Sequence, residues 1–241
     1  MKSLFVLIIS SFLLSSLSAQ TLKDCSSCAT KLIQIEQIKD LSIDELRFLA
    51  NDLFARRGYK FSDSNIDSYY SEKSWYKPVA NNNKIIFNTV EKQNIKILQD
   101  KTTELKAERD KLINELKVFK AALQSNNKSD LQRKYNFETN DIENRKDIAY
   151  LEKTLEQVNL DDINWSKHKG IYEVTVDNGD YVMNYEISID REKVNIKYAN
   201  QGGSEYSELV YPNYMITEYT YLWKFEWKNG RLRFVDFIVA G

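Results

Sequence analysis

The chain has 241 residues, enough for one large or two modest domains, and its 34 Lys plus Arg nearly balance 35 Asp plus Glu. A net charge of −1 argues against a nucleic-acid binder held by phosphate contacts, and 42% hydrophobic with 12% aromatic residues excludes wholesale disorder. One His and two Cys exclude a His-rich metal site and a disulfide-dense scaffold.

The amino terminus sets the compartment. Lys2 precedes the apolar run Leu4-Phe5-Val6-Leu7-Ile8-Ile9, a Ser break and Phe12-Leu13-Leu14, and the segment closes on Ser15-Ser16-Leu17-Ser18-Ala19-Gln20. A positive start, a short apolar stretch and a small residue before a polar one describe a secretory signal peptide over residues 1–19, cut after Ala19. The competing reading is a membrane anchor. It needs about 20 continuous apolar residues, and the serines interrupt this run. No later stretch is apolar enough to span a bilayer, so the mature chain reads as secreted or periplasmic, with no membrane span after cleavage.

Cys25 and Cys28 follow as Cys-Ser-Ser-Cys. Haem attachment needs a His directly after the second Cys, and residue 29 is Ala. A thioredoxin-type centre needs a strand before the motif, where a freshly cleaved terminus stands instead. A lipid anchor needs small residues before the Cys, where Lys23-Asp24 stand. A local disulfide in an oxidising compartment, tying down the first turn of a helix, is the remaining reading. A free or intermolecular pair is the alternative.

Leu32, Ile35 and Ile38 at helical spacing predict a lead-in helix within 20–40. Ser42-Ile43-Asp44-Glu45 has the form of a capping box, Leu46, Leu49, Leu53 and Phe54 form one stripe, and Gly58 stands where a left-handed cap belongs. These signals predict a helix over 43–57. A second over 64–71 opens at Ser64, and Trp75-Tyr76-Lys77-Pro78 leaves it extended. From about Asn88 the chain turns helical again, with Leu98, Leu105, Leu112, Leu116, Phe119 and Leu123 on a heptad that continues through Thr102 and Arg109. After Ser125-Asn126-Asn127-Lys128 a second amphipathic stretch carries Leu131, Tyr135, Ile142, Ile148, Leu151, Leu155 and Val158. An antiparallel helical hairpin over 95–160 is the expected arrangement. The alternative is a coiled-coil dimer through 95–123.

Beyond Trp165 the period becomes two. Residues 170–176 alternate, Asn178-Gly179 turns, and Tyr181, Met183, Tyr185, Ile187 and Ile189 share a face. Val194, Ile196 and Tyr198 make the next strand, and Gln201-Gly202-Gly203-Ser204 breaks it. Tyr219, Tyr221, Trp223, Phe225 and Trp227 line one side of a further strand, and Asn229-Gly230 leads into 231–239. Residues 165–241 therefore read as an antiparallel meander or small barrel, with the aromatic face as core or, more sharply, as a ligand platform. The fold class is α+β.

Asn51-Asp52-Leu53-Phe54-Ala55-Arg56-Arg57-Gly58-Tyr59-Lys60-Phe61 resembles the core of the YARHG domain, a presumed-extracellular bacterial domain. Trp75-Tyr76-Lys77-Pro78 is similar to its downstream Trp-Tyr element, and Glu91, Asn94 and Ile95 to its closing helix. The resemblance covers about 41–98, with Phe54 in place of the Tyr and Arg57 in place of the His. It implies an exported protein and brings no activity. Arg56 and Arg57 at a helix carboxyl end suit the macrodipole and the last carbonyls. The functional reading is an anion site, with Arg56 or Arg57 pairing a carboxylate or phosphate beside Trp75 and Tyr76.

Other chemistry is thin. His168 has no Gly-x-Ser-x-Gly elbow to serve, Gly202-Gly203 is no phosphate loop, and Asp161-Asp162 and Asp177-Asp180 flank turns. No cofactor, metal or catalytic residue is assigned. The expectation is a non-enzymatic binding or interaction module that meets an envelope protein or glycan. A β-barrel binder of a small apolar molecule or saccharide, with the helices as spacer, comes second, and an envelope hydrolase third.

Overall fold

The structure, a computed structural model, describes residues 20–138, 145–202 and 218–241. The signal-peptide reading, Ile142 and Gly203-Ser204 lie outside the described residues. The chain is α+β, with helices first and an antiparallel sheet last. It divides into two compact units. One takes the described residues up to Leu41 together with Leu49–Ile95, the other Ser42–Phe48 together with Lys96–Gly241.

Within the first unit the expected lead-in helix shrinks to a single turn, α1 (Ile35–Ile38). Residues 26–30 form tight turns, with the Cys28 and Thr30 amides donating to the Cys25 and Ser27 carbonyls. Cys25 and Cys28 are joined as a buried disulfide, so the bond closes a turn and not a helical one. Ile33 and Ile38 are buried while Leu32 and Ile35 are exposed, so the helical spacing of 32, 35 and 38 is not the spacing that packs.

Helix α2 (Ile43–Arg56) begins with the capping box its sequence announces. The Ser42 amide donates to Glu45 Oε2 at 2.8 Å, and the Glu45 amide donates to Ser42 Oγ at 3.3 Å. It ends in a Schellman motif: Gly58 N–H donates to Ala55 and Tyr59 N–H to Phe54, with Gly58 at φ 76°. Helix α3 (Ser64–Ser71) is capped one residue earlier than expected, by the Asp63 carboxylate, which accepts from the amides of Asn65 and Ile66. Asn88 and Glu91 cap helix α4 (Thr89–Gln124) reciprocally, at 2.8 and 2.9 Å.

The second unit holds the rest of α4, then α5 (Lys128–Tyr135) and α6 (Arg145–Gln157). The return arm of the expected hairpin is thus two helices. Asn136 takes the left-handed conformation at φ 56° and stops α5, and Phe137 turns into the core. Leu112, Leu116, Phe119 and Leu123 from the heptad are buried within this core together with Tyr135, Phe137 and Phe225. That part of the seam keeps no face for a second copy.

The sheet runs in the order β1 (Asn164–Ser166), β2 (Lys169–Asp177), β3 (Tyr181–Asp190), β4 (Lys193–Gly202), β5 (Glu218–Lys228) and β6 (Arg231–Ala240), every pair antiparallel. It is an open meander. Among the described residues β1 and β6 do not pair, so the barrel branch of the expectation falls, and with it an enclosed lumen for a ligand. The inner face presents Met183, Tyr185, Ile187, Ile189, Val194, Ile196, Tyr198, Trp223, Phe225 and Trp227, against which α6 lies on β3, β4 and β5 and α5 on β6. Between Lys224 and Phe225 the register with β6 slips, which leaves Val235 over as a bulge and lets both Phe234 and Phe237 reach the core.

The turns divide. Asn229-Gly230 makes the expected two-residue hairpin with both residues at positive φ, whereas Asp177 pairs with Val182 around a four-residue loop. There the Asn178 side chain accepts from the Asp180 and Tyr181 amides. The β3–β4 turn uses Arg191 in the left-handed region, a turn without the usual sequence signature.

Tyrosines cluster where α6 meets the sheet. The Tyr150 ring stacks on Tyr198 at 4.5 Å and on Tyr221 at 5.0 Å, its hydroxyl lies 3.3 Å from that of Tyr219, and Asn200 Nδ2 donates to Tyr219 at 2.8 Å. The hydrogen bond to Tyr219, with burial, pushes the Tyr150 phenol up to about 12. Burial, helped by the hydrogen bond to Tyr219, also raises Tyr198, and burial likewise raises Tyr70 and Tyr135. For Tyr219 burial pulls upward, but hydrogen bonds from Tyr150, Asn200 and Tyr198 outweigh it and leave it below its ordinary value. A raised folded pKa contributes stability that is whole below the unfolded value, about 10, and is lost as pH rises through the folded one. Tyr219, with the opposite shift, offsets only part of this. Stability to urea should therefore fall between pH about 10 and about 12, with phenolate absorbance rising together with unfolding. A complete phenolate titration of the still-folded chain near pH 10 would contradict the packing described.

Candidate functional site

The four residues singled out in the sequence stand at the carboxyl end of α2 and after α3, and the structure brings three of them together: Arg56 meets Trp75, whose ring stands edge-on to Tyr76 at 6.5 Å, while Arg57 is apart. Arg56 lies over the Trp75 ring, its Cζ 4.5 Å from the ring centroid. Its Nε donates to Asp52 Oδ2 at 3.0 Å, one helical turn back, and Nη2 lies 4.0 Å from Asp24 Oδ1. Asp52 Oδ2 also accepts from the Cys25 amide at 2.6 Å, so one buried carboxylate ties the disulfide turn to the arginine. Hydrogen bonds from Ser26, with the Arg56 charge, hold the Asp24 carboxyl below its ordinary range.

Arg57 points elsewhere. Its Nε donates to Glu91 Oε1 at 2.5 Å, and Glu91 is buried. That bond raises the Arg57 pKa above its ordinary value. Tyr76 is a core residue. Its hydroxyl donates to the Tyr59 carbonyl at 2.8 Å and lies 3.4 Å from Asp67, and its ring packs against Phe61 and Tyr70. Burial raises its phenol. An anion at Arg56 or Arg57 would have to compete with carboxylates already in place.

Instead the surface carries a row of rings braced by cations. Lys73 Nζ sits 4.3 Å over Tyr69, Tyr69 meets Tyr70 edge-on at 5.0 Å, Tyr70 meets Trp75 at 6.0 Å, and Arg56 covers Trp75. Tyr69 is 42% and Trp75 39% exposed, while Tyr70 is buried beneath them.

The sequence reading passed over Asp24 and Asp52 as partners, though Asp52 and Arg56 stand at the i, i+4 spacing that pairs charges on a helix. It noted Asn94 only within the resemblance. Asn94 is fully buried, accepts from the Ile33 amide at 2.8 Å and donates to the Cys28 and Lys31 carbonyls at 2.9 and 2.8 Å. The disulfide segment is thereby stitched to α4.

His168 belongs to the second unit, where its Nε2 lies 4.0 Å from Glu45 Oε2. Ser42 Oγ donates to the same oxygen at 2.7 Å. The carboxylate thus stands between serine and imidazole, the wrong order for a base to activate a hydroxyl. No group of three or more His, Cys, Asp or Glu among the described residues could hold a metal ion.

The arrangement is that of a small helical domain, tied by a disulfide, with a braced aromatic surface. Residues 24–103 match the family model of the YARHG domain. This match begins at Asp24 and so takes in the disulfide turn, which the motif-based resemblance over 41–98 left out. In this chain Asp52 and Asn94 hold that turn to the helices. No curated protein and no solved structure matches the chain.

Proposed function

We propose that the protein is an exported, non-enzymatic binding module of the bacterial envelope or secretome, and that the ring row on the YARHG domain is its recognition surface. The observation that carries this reading is the Arg56–Trp75 stack. Ion pairs to Asp52 and Asp24 fix the guanidinium, which fixes the indole, so an exposed aromatic face is held with little rotamer freedom left to lose on binding. Such a face suits the apolar side of a sugar ring or an apolar side chain of an envelope protein. Export is supported by the typically extracellular or periplasmic setting of YARHG domains and by the leader-like residues 1–19. No helix among the described residues is long and apolar enough to cross a membrane.

The test is retention of residues 20–241 on purified envelope glycan and on immobilised envelope protein, native chain against Trp75→Ala. Retention should drop at least about fivefold on one of the two, the loss of a central aromatic anchor. Equal retention of the variant on both would remove the ring row from the function.

A further inference from the structure

Among the described residues arginine is stacked on tryptophan twice, once in each unit, and the two guanidiniums differ in their partners. Arg56 is neutralised by Asp52 and Asp24. Arg109 lies 4.3 Å over the Trp165 ring, and its hydrogen bond among the described residues runs from Nη2 to the Lys167 carbonyl at 2.8 Å. No carboxylate among those residues comes within 4.0 Å of it. Arg109 is half-buried, and that burial lowers its pKa against the pull of Asp44.

Arg109 opens onto a cleft of about 560 Å³. That volume falls within the range of small-molecule sites, roughly 300–1,000 Å³. One wall is a face of α4, where Lys106, Arg109, Asp110, Ile113, Asn114 and Lys117 follow at helical spacing. The other is Leu160, Ile163 and Trp165. A salt bridge of 2.6 Å from Lys117 Nζ to Asp161 closes one end. Gly170 makes room for the indole: a Cβ there would stand 3.0 Å from two carbons of the Trp165 ring and 2.9 Å from Ile163. The cleft therefore combines the Arg109 guanidinium, one of whose Nη2 hydrogens is spent on the Lys167 carbonyl, a second cation at Lys106, the carboxylates of Asp110 and Asp161 at its walls, and an apolar floor.

We propose that this cleft binds a small organic carboxylate, its two oxygens on the Arg109 fork and its apolar body against Ile113, Leu160 and Trp165. The planar guanidinium matches a carboxylate with two parallel hydrogen bonds, which an ammonium cannot do. The apolar floor favours a carbon-bearing acid over a bare inorganic anion, whose remaining oxygens would be desolvated without partners.

The test uses phenylacetate and its neutral isostere phenylacetamide, titrated calorimetrically into residues 20–241 of the native chain, with amide chemical shifts to locate the site. Phenylacetate should shift residues of α4 and β1 and bind at least about tenfold more tightly than phenylacetamide, because the charge-assisted pair is lost in the amide. Arg109→Lys, which keeps the charge and loses the fork, should weaken binding about tenfold at an unchanged unfolding midpoint. Trp75→Ala should leave it untouched, so this site and the ring row fail separately. Equal binding of acid and amide, shifts confined to other residues, or no binding of phenylacetate up to about 10 mM each overturns the proposal. Should Arg109→Lys fold poorly, the two probes on the native chain decide alone.

Discussion

Replacing Gly58 by alanine is expected to lower the unfolding midpoint of the first unit by roughly 15 °C, about 3 kcal/mol in a domain of this size. Two independent demands meet at this residue. The Schellman motif holds it at φ 76°, where an L side chain costs about 1–2 kcal/mol. An alanine Cβ would also stand 2.5 Å from the Lys77 carbonyl oxygen. That atom is backbone, and its strand of chain is anchored by the Val79 amide donating to the Gly58 carbonyl at 2.8 Å, so the contact cannot be relieved by turning a side chain. Thermal melts, with hydrogen exchange at the Val79 amide, check the expectation. A shift below about 3 °C would mean that the turn adapts and that its left-handed form is dispensable.

Asn94→Ala should cost about 4 kcal/mol and free the disulfide segment from α4. The side chain satisfies three backbone groups at once, and alanine leaves the Ile33 amide and the Cys28 and Lys31 carbonyls without their partner. Each such orphan costs about 1–3 kcal/mol where water cannot replace the bond, and the sum is discounted because opened turns rehydrate. Exchange of the Ile33 amide should accelerate by about two orders of magnitude. Asn94→Asp should not rescue, since a carboxylate would face two carbonyl oxygens. An alanine variant with native exchange at Ile33 would show that the disulfide, not the asparagine, fixes this segment.

What the sequence disclosed follows the physics of each signal. Capping boxes, the Schellman glycine and strand alternation are local, and α2, β3, β4 and β5 were legible for that reason. The end of α5 was not, because nothing marks Asn136 as left-handed except the packing of Phe137. β6 was legible as a strand over 231–239, but the bulge at Val235, which restarts its period, was not. Of the residues singled out, Arg56 and Trp75 do meet, yet the carboxylates that pair with Arg56 were not foreseen: Asp24 lies far from it in sequence, and Asp52, at i, i+4 spacing, was passed over. Arg109 was visible only as a polar break in a heptad. Its indole partner stands beyond two further helices, and no periodicity links the two.

The bulge in β6 has a bearing on how the protein avoids its own kind. An open sheet ends in two strands whose outer N–H and C=O groups invite another chain to zip alongside. At one border β1 offers three residues and covers only Lys169, Gly170 and Ile171 of β2, so that among the described residues the β2 edge from Tyr172 on has no strand beside it. At the other, β6 is ten residues long, and among the described residues it pairs only with β5, with Val235 and Val239 more than half exposed. A ten-residue comb of regular teeth with apolar tips would be an aggregation hazard. The single extra residue breaks the spacing of the teeth midway. No straight strand can match both halves at once, so this border is guarded by a missed stitch.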